Sequence, residues 1–184
     1  MKKILAIMAL AISGSTFAAT ATVEYQDQNG VNGTSDSRNI SLSVKENINK
    51  TFAGDISLSN TYKETTGAAS SFRTEAGLTG TVPLVGNLNG YTRVAVGQKF
   101  TSTNNFTYYS VEPGVSLPLG AGLTAKVGYR YRNAFDEARL DHTNTWRAGL
   151  SYQINKDNAI GIGYDRQRGD SNQDIWKVNY TRGF

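Results

Sequence analysis

The chain has no cysteine, which excludes a disulfide framework and any thiolate-held metal. Its one histidine is His142, and no metal-ligand spacing surrounds it, so no metal or other cofactor is expected. Mean hydropathy is only −0.40, and beyond the opening residues no second long apolar run occurs. That excludes a helical membrane protein. Charge of one sign is also scarce. Without Lys2 and Lys3, 17 basic residues stand against 15 acidic ones, too even a balance to indicate nucleic acid.

What is present starts with a leader. Lys2 and Lys3 precede an apolar stretch from Ile4 to Ile12, and small residues follow to Ala18, with Thr16 three positions before the cut. Nine apolar residues are too few for a spanning helix, which needs about twenty, and the layout is that of a secretory signal peptide. Residues 1–18 are therefore expected to be removed, leaving 19–184 as a single domain.

From Thr20 onward apolar and polar residues alternate, the period of a strand with two different faces. Val23/Tyr25, Ile40/Leu42/Val44, Ile56/Leu58/Tyr62, Phe72/Ala76/Leu78 and Thr92/Val94/Val96 mark five strands. Tyr109/Val111/Val115/Leu117, Leu123/Ala125/Val127/Tyr129/Tyr131, Trp146/Ala148/Leu150/Tyr152, Ile160/Ile162/Tyr164 and Trp176/Val178/Tyr180/Phe184 mark five more. Short turns (46–50, 83–87, 118–122, 155–158) alternate with longer polar loops (28–37, 63–70, 101–105, 133–141, 168–173). The pattern predicts an all-β, antiparallel up-and-down transmembrane barrel of ten strands, with eight or twelve also compatible. Aromatic residues of the apolar parity gather at strand ends, as girdles at both membrane interfaces would. The closing Phe184 is a signal that barrel assembly machinery reads. A Gram-negative outer membrane, with its lipid and lipopolysaccharide, is the implied location.

The other parity faces inward and is Gly, Ser, Thr and charge. It carries Glu24, Lys45, Asp55, Arg73, Glu75, Arg93, Lys99, Glu112, Lys126, Arg130, Arg132, Arg147, Asp165 and Lys177, nine basic and five acidic. Gly77, Gly97, Gly114, Gly128, Gly149, Gly161 and Gly163 are expected to leave room between them. Placing Ile154 opposite Ile160 sets Arg147 beside Gln167 and diagonal to Asp165. Symmetric loops put Asp165 opposite Lys177 and Arg130 opposite Arg147. Arg147, Asp165 and Lys177 then form an ion-pair network, with Glu112 a second lumen acid. Arg73, Arg93, Lys126, Arg130, Arg132, Arg147 and Lys177 are the expected anion contacts. A basic strip of this kind selects anions; alternatively, such groups only fill and rigidify a narrow barrel.

Ser110 to Leu117 (SVEPGVSL), then Leu123 to Arg132 (LTAKVGYRYR), and later Asn158 to Tyr164 (NAIGIGY) resemble the oligogalacturonate-specific porin family. The likeness covers the C-terminal half. It implies a monomeric barrel that passes acidic oligosaccharides, with Arg130 and Arg132 as lumen contacts. This chain departs from the family in being shorter, by what reads as two strands, which implies a narrower pore.

An enzyme is not expected, because barrel hydrolases need a nucleophile with a placed base and His142 has only Asp141 beside it in a polar loop. Arg168-Gly169-Asp170 suits a turn as well as an adhesion loop. The sequence therefore favours a channel for small anionic solutes such as acidic sugars, ahead of a non-conducting interaction barrel. Intact mass of the protein from outer-membrane fractions should begin at Ala19 or Thr20, and the band should shift on heating before electrophoresis. A soluble, full-length product would contradict this.

Overall fold

A computed structural model describes residues 19–63, 70–102, 104–136, 138–139 and 141–184. The leader and part of the 63–70 loop lie outside them. Ten strands run in chain order: β1 (Ala19–Gly30), β2 (Ser37–Asn47), β3 (Phe52–Lys63), β4 (Ser71–Pro83), β5 (Asn89–Phe100), β6 (Asn105–Gly120), β7 (Leu123–Ala134), β8 (Thr143–Asn155), β9 (Asn158–Gly169) and β10 (Gln173–Gly183). Each pairs antiparallel with its sequence neighbours, and β1 pairs with β10 to close the barrel. At the seam Phe184 donates its backbone N–H to the Ala19 carbonyl at 2.9 Å.

Burial is inverted relative to a water-soluble core. Val127 and Leu150 are 47% and 42% exposed, whereas Asn39 and Thr145 are 0% exposed. The apolar parity faces outward around the barrel, which places it against hydrocarbon. Rings meet near the strand ends that carry the longer loops: Tyr129 with Trp146, and Tyr164 with Trp176, each at 5.0 Å. At the other end Tyr152, Tyr180 and Phe184 are exposed on the outer face, and the Tyr180 hydroxyl bonds Asn158.

Three register expectations are corrected. Ile160 lies opposite Tyr152 rather than Ile154, because an irregularity at Gln153–Asn155 absorbs a residue. The Asn155 carboxamide accepts the N–H groups of Asp157 and Asn158, both at 3.0 Å, and tightens that turn. Arg147 is therefore directly opposite Asp165. In the next pair Asp165 faces Ile175 and Lys177 faces Gly163, since the loop after Gly169 turns early on a positive φ of 127°. Across β7 and β8, Arg147 faces Gly128 and Arg130 faces Thr145, because the connecting loop sends Asp141 inward instead of extending the ladder symmetrically. Each error is a slip of two residues, which leaves every side chain on its expected face.

Parity thus sets a clear test. Arg at Val127 or Leu150 should destabilise the folded barrel by about 2–4 kcal/mol in denaturant titrations in lipid vesicles. Arg at the inward neighbours Gly128 and Gly149 should not follow that depth dependence. Unchanged stability at both outward positions would reverse the assignment of faces.

Candidate functional site

Ten strands enclose a narrow lumen, so long charged side chains there must lie along the wall or meet one another. Among the described residues, three ion-pair groups form in the lumen. On β3–β5, Arg93 forks between Asp55 (Nε to Oδ1 3.0 Å, Nη2 to Oδ2 2.5 Å) and Glu75 (Nη1 to Oε1 2.6 Å). At mid-height Arg147 bridges Glu112 on β6 and Asp165 on β9, the latter at 3.2 Å, and Lys177 Nζ holds the second Asp165 oxygen at 2.7 Å. At the outer mouth Asp141 takes Lys99 at 3.0 Å and Arg132 at 2.9 Å. Charge-assisted contacts of this kind are roughly twice as strong as neutral ones.

The expected strip of Arg130, Arg132 and Arg147 is therefore divided. Arg132 and Arg147 are held by acids. Arg130 makes no ion pair among the described residues, and its Nε is sealed without a hydrogen-bond partner; the same holds for Arg73. Val111 opposite Tyr131 and Gly114 opposite Gly128 put Glu112 across from Arg130. Yet the Glu112 oxygens are taken by Arg147 and by the Tyr91 hydroxyl, which donates at 3.2 Å. Lys126 lies 4.0 Å above the Tyr91 ring, a cation–π contact. Of the residues expected to line the pore, Arg73, Lys126 and Arg130 offer cationic heads without an acid partner among the described residues, while Arg93, Arg132, Arg147 and Lys177 are neutralised locally.

The glycine expectation is corrected as well. The space at Gly77, Gly97 and Gly114 is filled by neighbouring side chains, whereas Gly128, Gly149 and Gly163 border the cavity on the side of the short turns. A Cβ at Gly77 would sit 2.5 Å from the Arg93 guanidinium, and one at Gly97 2.5 Å from the Tyr108 ring. Tyr91 lies over Gly114 and Gly128 in the same way. These two inward tyrosines, 7% and 2% exposed, escape the sequence reading because alternation treats aromatic residues as outward. Asp141 escapes it because it belongs to a loop; the signal was the pair Lys99 and Arg132 at one end of the lumen with no strand acid near them.

What remains open is a cavity of about 820 Å³ reaching from the outer loops into the barrel, and a second of about 250 Å³ on the side of the short turns. Glu24, Glu112, Lys126 and Arg147 line both, so the Arg147 group forms the partition between them. Outside the lumen, His142 packs on Tyr131 at 5.3 Å and its backbone N–H donates to Asp170 at 2.7 Å. Arg168 pairs with Asp174 at 2.9 Å. The charged groups of the 168–170 tripeptide are thus engaged within the protein.

Asp165 is the acid on which two cations depend. Asp165→Asn should lower stability by about 1–3 kcal/mol, less than the 3–5 of a fully buried pair because Arg147 is partly solvated. Denaturant titration in vesicles reads the effect, and wild-type stability in the variant would show the network to be energetically idle.

No protein-family model matches the chain, and no curated protein matches it in sequence. Solved structures match in fold. The "KdgM porin in complex with disordered oligogalacturonate" aligns at 11% identity and TM-score 0.52, over 90% of this chain and 99% of that one. The translocator domain of the autotransporter NalP from Neisseria meningitidis aligns at 9% identity and TM-score 0.57, over 100% and 94%. The beta domain of the Bordetella autotransporter BrkA aligns at 10% identity and TM-score 0.57, over 92% and 100%. The chain shares the closed antiparallel barrel of these porin and autotransporter domains.

Proposed function

We propose that this protein is a small outer-membrane channel that passes small anionic solutes, acidic sugars among them, through a cation-lined lumen. The observation that carries the reading is the imbalance in pairing. Asp55, Glu75, Glu112, Asp141 and Asp165 sit in ion pairs. The 820 Å³ cavity is also lined by Arg73, Lys126 and Arg130, cations that make no ion pair among the described residues, and by the acid Glu24, which makes none either. An anion entering there would meet guanidinium groups whose Nε atoms have no hydrogen-bond partner, and it would supply the missing acid. The fold likeness to a porin solved with oligogalacturonate agrees in direction.

The lipid-facing apolar belt with rings at both ends supports an outer-membrane position, in contact with lipid and lipopolysaccharide. Export by a cleaved leader, assembly through the Phe184 end and action as a monomer belong to the same reading.

Reconstituted in planar bilayers, the protein should conduct and show an anion-selective reversal potential at low salt. The selectivity should fade as ionic strength rises, because the Debye length falls from about 30 Å at 0.01 M to about 3 Å at 1 M. Arg73→Gln with Arg130→Gln should remove most of the selectivity in a barrel that still folds. A folded protein silent at every salt concentration would refute the channel, and an unaltered reversal potential in the double variant would refute the role of the two arginines.

A further inference from the structure

The two halves of the lumen wall are built differently. On β2 and β3 the inward residues are small and hydroxylated: Ser41 lies opposite Ser59, and Ser43 opposite Ser57. The large cavity touches these serines directly. On β4–β7 each strand has one inward glycine under a large neighbour: Arg93 lies over Gly77, Tyr108 over Gly97, and Tyr91 over Gly114 and Gly128. Neither cavity reaches Gly77, Gly97 or Gly114, and the second touches Gly128; on that side the open space meets long side chains, Arg93 and Tyr108 over the glycines with Arg73, Glu75 and Arg130 beside them. Flattening has a steric cause, since a Cβ at Gly114 would come within 2.5 Å of the Tyr91 hydroxyl, a separation that Cβ atoms do not tolerate.

Depth differs in the same sense. Along β1–β3 the large cavity descends to Thr22, Ser43 and Asp55, each within four residues of the inner end of its strand. Along β6, β8 and β9 it stops at Glu112, Arg147 and Asp165, where the second cavity begins, while on β5 and β7 the long side chains of Arg93 and Lys126 reach it from nearer the inner end. We propose that the open lane through this barrel is eccentric: it runs against the serine wall of β2 and β3, and the inward glycines of β4–β7 keep it open by letting Arg93, Tyr108 and Tyr91 lie flat on the far wall. Lys45, exposed, opposite Asp55 and one turn of the pleat below Ser43, then stands at the inner end of the lane.

The inference rests on the channel reading only for conduction; the position of the open space can be tested without it. The absence of native cysteine makes thiol labelling clean. Ser57→Cys and Ser43→Cys place a thiol on the lane. Ser110→Cys makes the same chemical change on the far wall, at an inward residue only 2% exposed, and Ala95→Cys, 6% exposed, is its companion there. The folded, heat-modifiable variants are exposed to a sulfonate-bearing methanethiosulfonate and followed by intact mass. The lane thiols should react at least ten times faster than the far-wall thiols. Equal rates, or faster reaction at Ser110→Cys and Ala95→Cys, would overturn the proposal.

In a conducting barrel, labelling Ser57→Cys should also cut single-channel conductance by more than half, and unchanged conductance after complete labelling would overturn the lane as the path of ions. If the wild-type barrel is silent, the channel reading falls while the labelling ratio still decides where the open space lies.

Discussion

In hydrocarbon there is no water to take up an unpaired N–H or carbonyl, so every strand must find two neighbours. The rest of this structure follows from that requirement and from the number of strands that meet it. Ten strands close with β1 against β10, and the ladder consumes the backbone groups wherever they face lipid. Pro113 lacks an N–H, and the ladder between β6 and β7 is interrupted at Glu112 and Pro113 before it resumes at Gly114 and Gly128. Closure at this strand count leaves a lumen into which both walls project long side chains. Its charge and ring groups are therefore arranged under crowding, not dispersed in an open pore.

Crowding and low polarity together explain the pairing. A carboxylate near the wall loses water on one side, and the loss is tolerable only beside a cation or several donors. Asp165 and Glu112 meet that condition through Arg147, which reaches acids on strands to either side of its own neighbourhood because guanidinium presents donors in a planar fork. Lysine contributes single points, as Lys177 does to Asp165 and Lys99 to Asp141. Inward cations outnumber the strand acids, of which Glu24 makes no ion pair among the described residues, and the loop supplies Asp141 to hold two of the cations. Arg73 and Arg130 remain without an acid partner among the described residues, so the electrostatic character of the cavity is set by the remainder after pairing, not by the sum of charges.

Much of the fold was legible because parity is a local property. Each of Val23, Ile56, Val94, Val127, Leu150 and Val178 needs only its immediate neighbours to declare its face, and all are exposed to the outside. Ten alternating segments give ten strands. Register was less legible because it depends on turn conformation: the carboxamide of Asn155 and the positive φ of Gly169 each move a ladder by two residues without altering parity. Arg147, Asp165 and Lys177 stay inward under such a slip. Their expected pairing geometry does not survive it, and neither does the opposition of Arg130 to Arg147. Tyr91 and Tyr108 were invisible because an aromatic residue carries no mark of its side, and only the glycines beneath them, which composition alone reads as empty space, reveal where the rings go.

The two walls separate stability from access. Away from the serines, ion pairs and rings seated over glycine link β4 through β10, with Arg93 reaching across to Asp55 on β3, so a change there alters how strands hold together as well as what fills the lumen. On the serine wall the inward groups are small, and the ladder itself provides most of the cohesion between β2 and β3. Hydroxyl groups there can exchange hydrogen bonds with water or solute at little net cost, because neither state leaves a buried charge unmatched. A barrel that placed its ion pairs evenly around the lumen would have to break one to admit each solute. Leaving the serines of β2 and β3 outside these pairs gives the proposed lane a face on which a solute would displace water alone, while Arg93 ties the Asp55 edge of that face to β5.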